Sequence, residues 1–391
     1  MIDFTFYSPT FFAFGKNAEA ETGKLAKRYG ATKALLHYGQ QSVIRSGLLD
    51  RVETSLHEAG IETVRLGGVV PNPEASKVYE GIELGRREGV DMVIGVGGGS
   101  AVDSAKAIAA GIPYDGDFWD FYDDKKTIEK ALPIGCVLTL AATGTEGSNS
   151  SVITKVEDNQ KKRGIGHNLL RPAFSVLNPE LTYTLPAYQT ACGIADMLAH
   201  ILERYLSNTP DVELTDRMSE AVMKTIVNQG RIAIREPENY EARAALMWAG
   251  MVAHNDILGV GREQDWSSHQ MEHELSAVYG VAHGAGLAVV FPAFMTYTLE
   301  HDLARYAQLA HRVFDVEPDF GNLRGMAEEG IRRFKAFLKE IGMPLTFAEL
   351  GAREEDIPML ASRVYLTNGD LLGFFQPLSR DDIANVYRLA L

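Results

Sequence analysis

Cysteine is almost missing: Cys136 and Cys192 are the only two in 391 residues. Two thiols in apolar surroundings cannot form a disulfide framework, and their spacing is not that of a zinc finger. A reducing, cytoplasmic setting is therefore expected. Long apolar runs are missing too. No stretch of about 18 apolar residues suggests a membrane span. The opening MIDFTFYSPTFFAFG has no basic segment ahead of an apolar one, so no signal peptide is expected. Positive charge is in deficit, with 38 Lys and Arg against 52 Asp and Glu and a net charge of −14. That balance argues against nucleic acid or an anionic membrane as partner. The remainder is ordinary for a globular chain, with 46% apolar and 23% charged residues and length enough for two domains.

The texture changes once along the chain. Apolar runs at TKALLHYG, IETVRLGG, VDMVIGVGGG, LPIGCVLTL and AFSVLNP read as buried strands. Amphipathic stretches separate the earlier ones: VIRSGLLDRVETSLHEAG, ASKVYEGIELGRREG and SAVDSAKAIAAG. Strands alternating with helices imply βαβ units and a parallel sheet. After Pro186 candidate strands stop and long helical patterns run to the end. The expected division is an α/β domain over residues 1–183 and an all-helical domain over 184–391, with the boundary inside LTYTLP at 181–186.

Val93-Ile94-Gly95-Val96 reads as a strand end, followed by Gly97-Gly98-Gly99-Ser100 and a helix from about Ala101. Glycines let backbone approach a ligand closely, and helix N-terminal amides favour an anion, so this turn is a candidate phosphate cradle. It is not the G-x-G-x-x-G fingerprint, which fails at Ser100 when counted from Gly95, and it is no P-loop. A plain tight turn is the alternative. Beyond the next strand, Thr139 and Thr143 stand where open α/β sheets bind ligands. Thr143 or Thr145 could instead cap a helix. The first strand ends at Tyr38-Gly39, with Ser42 and Arg45 nearby and no acid to meet a ribose 2′-OH. A 2′-phosphate is tolerated there, which leans the cofactor expectation from NAD toward NADP.

Three of the ten histidines fall within HQMEHELSAVYGVAHGAG: His269, His273 and His283. Asp196 and His200 form D-x-x-x-H, at positions i and i+4 on one helix face. Imidazoles with one carboxylate suit Zn²⁺ or Fe²⁺. HQMEH also matches an inverted zinc-protease motif, in which His269 and His273 bind zinc and Glu272 activates water. That reading leaves Asp196, His200 and the nucleotide-like half without a purpose. A nucleotide half joined to a metal half suggests hydride transfer with a metal polarising a C–O group. A non-catalytic nucleotide-binding module is a third possibility. Local spacing does not separate them.

Longer patterns do. The chain resembles the iron-containing alcohol dehydrogenases, in particular the butanol dehydrogenase and broad-range aldehyde reductase branch. The shared residues are FxFG at 12–15, Tyr38-Gly39 with Ser42, GGGSxxDxAK from Gly97 to Lys106, LTxxATGTE from Leu138 to Glu146, DxxxH at 196–200, and HxxxHELxxxxGxxHG from His269 to Gly284. The resemblance implies a dehydroquinate synthase-like fold, with an NAD(P)-binding α/β domain and an all-helical metal-binding domain. It implies Asp196, His200, His269 and His283 as ligands of a divalent metal, Fe²⁺ ahead of Zn²⁺. His273 becomes a neighbour facing substrate and nicotinamide, the catalytic candidate, and Glu272 a helix-surface residue or one behind the ligands. Gly97, Gly98, Gly99 and Ser100 would hold the pyrophosphate, Asp103 would approach the nicotinamide, and Gly39, Ser42, Thr139 and Thr143 would line the nucleotide. Lys162 would reach the ribose, with Lys161 and Arg163 close by. One departure is that Gln40 and Gln41 stand where the NADPH-using branch often has glycine. The implied activity is reversible oxidation of a primary alcohol, run mostly as aldehyde reduction, in a homodimer. A glycerol or other polyol dehydrogenase of the same fold is the nearest alternative.

Overall fold

The computed structural model describes residues 1–158 and 160–391. The chain divides into two compact units, Tyr7–Leu185 and Pro186–Leu391, with Met1–Phe6 packed into the second.

The first unit holds the strands β1 (Phe11–Phe14), β2 (Lys33–Tyr38), β3 (Glu62–Leu66), β4 (Met92–Gly97), β5 (Ile134–Leu138), β6 (Ser150–Lys155), β7 (Lys161–Gly166) and β8 (Phe174–Leu177). Its helices include α1 (Thr22–Arg28), α2 (Ser42–Arg45), α3 (Leu48–Glu58), α4 (Ala75–Glu88) and α5 (Gly99–Gly111). Six strands form one parallel sheet in the order β1-β8-β5-β4-β2-β3, and β6 and β7 form a separate antiparallel hairpin. Every residue of β4 and β5 is buried, as expected of a sheet covered on both faces. Alternate strand residues leave on opposite sides. Leu35 and Val93 pack with Val78, Ile82, Ala105 and Ile108 of α4 and α5. Leu36, Met92, Ile94 and Val96 pack on the other face with Leu25, Leu49, Val52 and Leu56 of α1 and α3.

The second unit contains α6 (Ala187–Tyr205), α7 (Glu213–Arg235), α8 (Tyr240–His254), α9 (Ser267–Tyr279), α10 (His283–Tyr297), α11 (Leu303–Phe314) and α12 (Leu323–Glu340). Shorter helices follow, and no strand element lies beyond Leu177 among the described residues. Helix α6 is buried continuously from Thr190 to Tyr205, and α10 is buried from Gly284 to Met295. A helix buried on every side belongs in a core. Here α6 and α10 pack on each other at its centre.

Candidate functional site

The sheet reverses its strand order between β2 and β4, so their carboxyl ends flank the position where open α/β sheets bind ligands. Gly39 follows β2, and Ser42 opens α2 in an exposed position. Gly97 ends β4. Gly98 is the N-cap of α5, with no side chain capping the helix and no acid in its first turn. Thirteen residues of helix thus present their N-terminal amides and the positive end of the dipole beside the glycine turn, a fitting seat for a phosphate. The helix begins at Gly99, two residues before the point read from sequence. A Cβ on Gly99 would lie 2.6 Å from the Thr143 hydroxyl, so that position admits only glycine while Thr143 stays in place. The Thr139 amide donates to the Gly97 carbonyl at 2.9 Å, fixing the edge of the next turn against the cradle.

Residues 139–149 form no helix, so neither Thr143 nor Thr145 is a helix cap. The Thr145 hydroxyl donates to Asp103 at 2.5 Å, and the Val152 amide donates to the second oxygen of Asp103 at 3.0 Å. Asp103 therefore ties the 143–152 segment to α5, alongside any role at the nicotinamide. One turn later Lys106, fully buried, donates to the Ser148 and Ser150 carbonyls at 3.0 and 2.8 Å. Burial lowers its ammonium to about 8. Glu146 is buried too, no side chain among the described residues hydrogen-bonds its carboxylate, and desolvation raises it to about 7. Lys162, on β7, is buried and donates to Asn72 at 3.1 Å.

In the helical unit, α6 carries Asp196 and His200 one turn apart, α9 carries His269 and His273, and α10 begins at His283. Gly280, in the left-handed region, closes α9 as its C-cap. A Cβ on Gly284 would lie 2.0 Å from the Cys192 carbonyl, so glycine after His283 lets the start of α10 sit directly on α6. The result is convergence on one carboxylate oxygen. Asp196 Oδ1 lies 3.2 Å from His200 Nδ1, 3.8 Å from His283 Nε2 and 4.0 Å from His269 Nε2. Donors bonded to one ion at about 2.1 Å with near-tetrahedral angles stand roughly 3.4 Å apart, which is the spread seen here. The His200 approach lacks hydrogen-bond geometry. Groups this close could share one ion.

The outer nitrogens are equally organised. His269 Nδ1 and the His269 amide meet Glu203 Oε1 at 2.8 and 2.9 Å. His283 Nδ1 meets Glu272, which also accepts from Ser276. Both glutamates are fully buried, and desolvation lifts Glu203 to about 8. A carboxylate on Nδ1 fixes tautomer and ring orientation and turns Nε2 toward the centre. Burial and the neighbouring imidazoles push His200 well below the usual range, which keeps it in the neutral form a metal requires. His273 is buried beside this group, its ring 5.7 Å from that of His283.

Of the residues singled out in the sequence, Asp196, His200, His269, His273 and His283 come together in the helical unit. Gly39, Ser42, the Gly97–Ser100 turn, Asp103, Thr139, Thr143 and Lys162 lie in the sheet unit. Of the two places expected for Glu272, it takes the one behind His283 and not the helix surface: with its carboxylate engaged by His283 and Ser276, it is poorly disposed as a protease-type base. Glu203 was missed altogether, although it stands three residues after His200 and seven after Asp196 on the same face of α6.

Residues 9–179 match the family described as iron-containing alcohol dehydrogenase, and residues 190–391 match the C-terminal domain of the same family. The chain belongs to the iron-containing alcohol dehydrogenase family. It is 42% identical, over the full length of both chains, to a probable NADH-dependent butanol dehydrogenase of Bacillus subtilis. It is 33% identical, again over full length, to the NADPH-dependent aldehyde reductase YqhD of Escherichia coli. The crystal structure of an NADH-dependent butanol dehydrogenase from Thermotoga maritima superimposes with a TM-score of 0.96 at 40% identity, covering 100% of this chain and 99% of that one. The α/β-plus-helical architecture is thus the family fold, and the chain is an alcohol dehydrogenase of this type.

Proposed function

We propose that this enzyme interconverts aldehydes such as butanal with their primary alcohols at a divalent metal centre held by Asp196, His200, His269 and His283. The reading rests chiefly on one observation: three imidazole nitrogens from three helices gather around Asp196 Oδ1, with two outer nitrogens turned to buried carboxylates. When bound, the metal supplies Lewis-acid polarisation of the substrate oxygen and the nicotinamide supplies the hydride. The chain's own part is to position and to move a proton. His273, beside His283 but outside the four-donor set, is assigned the proton at the substrate oxygen, because imidazole is the side chain most often used as a general acid or base. Gly97, Gly98, Gly99 and Ser100 seat the pyrophosphate, with Gly39, Ser42, Thr139 and Thr143 along the nucleotide and Asp103 and Lys162 toward its nicotinamide end.

Iron is the metal of the family and Zn²⁺ fits the same donor set. NAD and NADP both stay in the reading, since relatives at 42% and 33% identity are named for NADH and NADPH respectively. A homodimer is supported by β1, which lies at the sheet edge and leaves Phe11 and Phe14 about two-fifths exposed. A cytoplasmic setting is supported by two unbridged, buried cysteines. No helix among the described residues is long and apolar enough to cross a membrane.

The test is to load purified protein with Fe²⁺ anaerobically and follow butanal-dependent loss of NADH and NADPH absorbance, with glycerol and 1,2-diols assayed in the oxidative direction. Faster turnover on butanal and butanol than on polyols supports the proposal. Preference for glycerol would move the chain to the polyol branch.

A further inference from the structure

The three imidazoles are not held alike. His269 and His283 each give Nδ1 to a buried glutamate. His200 is turned the other way, with Nδ1 toward Asp196 Oδ1, and no carboxylate among the described residues meets its outer nitrogen, Nε2. Its ring is packed instead. His254, the last residue of α8, lies with its ring centroid 4.1 Å from that of His200, and Trp266 meets both rings edge-on at 5.9 and 5.6 Å.

His254 is itself pinned. Arg204, 1% exposed, donates through Nη2 to His254 Nδ1 at 3.1 Å and to Asp256 Oδ1 at 3.2 Å. The other guanidinium nitrogen donates to the His200 carbonyl at 2.8 Å, and the guanidinium lies over Trp266 at 4.6 Å. A guanidinium only donates, so His254 Nδ1 accepts and its own proton sits on Nε2. One buried cation thus fixes His254, Trp266 and the backbone of His200 together.

We infer that His254, pinned by Arg204, is the positioning residue for His200, doing by ring packing what Glu203 and Glu272 do for the other imidazoles by hydrogen bonding. The inference rests on the metal-centre reading above. It assigns a role to a residue that is neither a proposed ligand nor the proposed proton carrier.

The test uses Co²⁺-loaded protein, following metal loss to excess chelator and the Co²⁺ visible spectrum, with thermal midpoints of the metal-free proteins in parallel. His254→Ala removes the ring, and His254→Phe keeps a ring without the acceptor. His254→Ala is expected to lose Co²⁺ about 10- to 100-fold faster than wild type with an altered spectrum, and His254→Phe to stay within about threefold. Metal-free midpoints are expected to stay close to wild type. Wild-type kinetics and spectrum in His254→Ala would overturn the inference while leaving the metal centre intact. Equally fast loss from His254→Phe would also overturn it, by assigning the hold to the Arg204 bond, as would a rise in loss rate that follows a fallen metal-free midpoint. Failure of wild type to bind Co²⁺ would overturn the metal centre itself.

Discussion

Glu203 Oε1 accepts from both the ring Nδ1 and the backbone amide of His269, at 2.8 and 2.9 Å. A single buried oxygen from α6 therefore caps the start of α9 and orients the imidazole that α9 carries. Removing it in Glu203→Ala is expected to weaken metal binding by about 10- to 100-fold. Competition with a chelator of known affinity measures this. Unchanged affinity would mean that the carboxylate serves the fold of α9 alone.

His269 and His273 lie one turn apart yet are assigned different work. His269→Ala is expected to lose metal and turnover together. His273→Ala is expected to keep its metal and to lose kcat by roughly 10²- to 10⁴-fold, the usual worth of a positioned acid–base group. Metal content by elemental analysis, set beside steady-state rates, separates the two. Metal loss in His273→Ala would restore the HQMEH pairing.

Gly99 provides a variant aimed at the other half of the chain. A Cβ there would press on the Thr143 hydroxyl at 2.6 Å. Gly99→Ala is expected to raise the Kd for the nicotinamide cofactor by about tenfold or more, the effect of overpacking by one or two kcal/mol, with metal content unchanged. Fluorescence titration with the reduced cofactor checks it. Wild-type affinity would remove the glycine turn from the cofactor site.

Glu146 gives a pH dependence. Its ordinary value of 4.5 rises to about 7 on folding because burial disfavours the charge, with Lys106 drawing it down and Asp103 pushing it up. A raised folded value means that the stabilising contribution is full below pH 4.5 and lost as pH climbs through 7. Glu146→Gln cannot ionise. It is expected to track wild type at pH 5 and to gain on it at pH 8 by on the order of 1–3 kcal/mol. Denaturant midpoints at the two values measure this, and a difference that does not change with pH would contradict it.

Much of this was legible in the sequence, for definable reasons. Strands β2, β3, β4, β5 and β8 were recognisable as apolar runs, most of them near-continuously buried. The hairpin β6–β7 was not, because SSVITK and KKRGIG are polar and pair with each other outside the main sheet. β1 is four residues long, and what makes it a strand is β8 beside it, a long-range fact. The histidines were conspicuous because the residue type is scarce. Glu203 was hidden because glutamate in a helix usually faces water, and only the shared face with Asp196 and His200 marked it. His254 and Arg204 reach His200 through packing between α8 and α6, which no local spacing encodes.

The measurement closest to the central claim is butanal-dependent NADH or NADPH oxidation as a function of metal occupancy, comparing wild type with His200→Ala. The account expects wild-type rate to rise in proportion to bound Fe²⁺ up to about one equivalent per chain, and His200→Ala to bind little metal and turn over negligibly. Cofactor oxidation that proceeds undiminished in fully metal-free protein, or no oxidation at any metal loading, would contradict it.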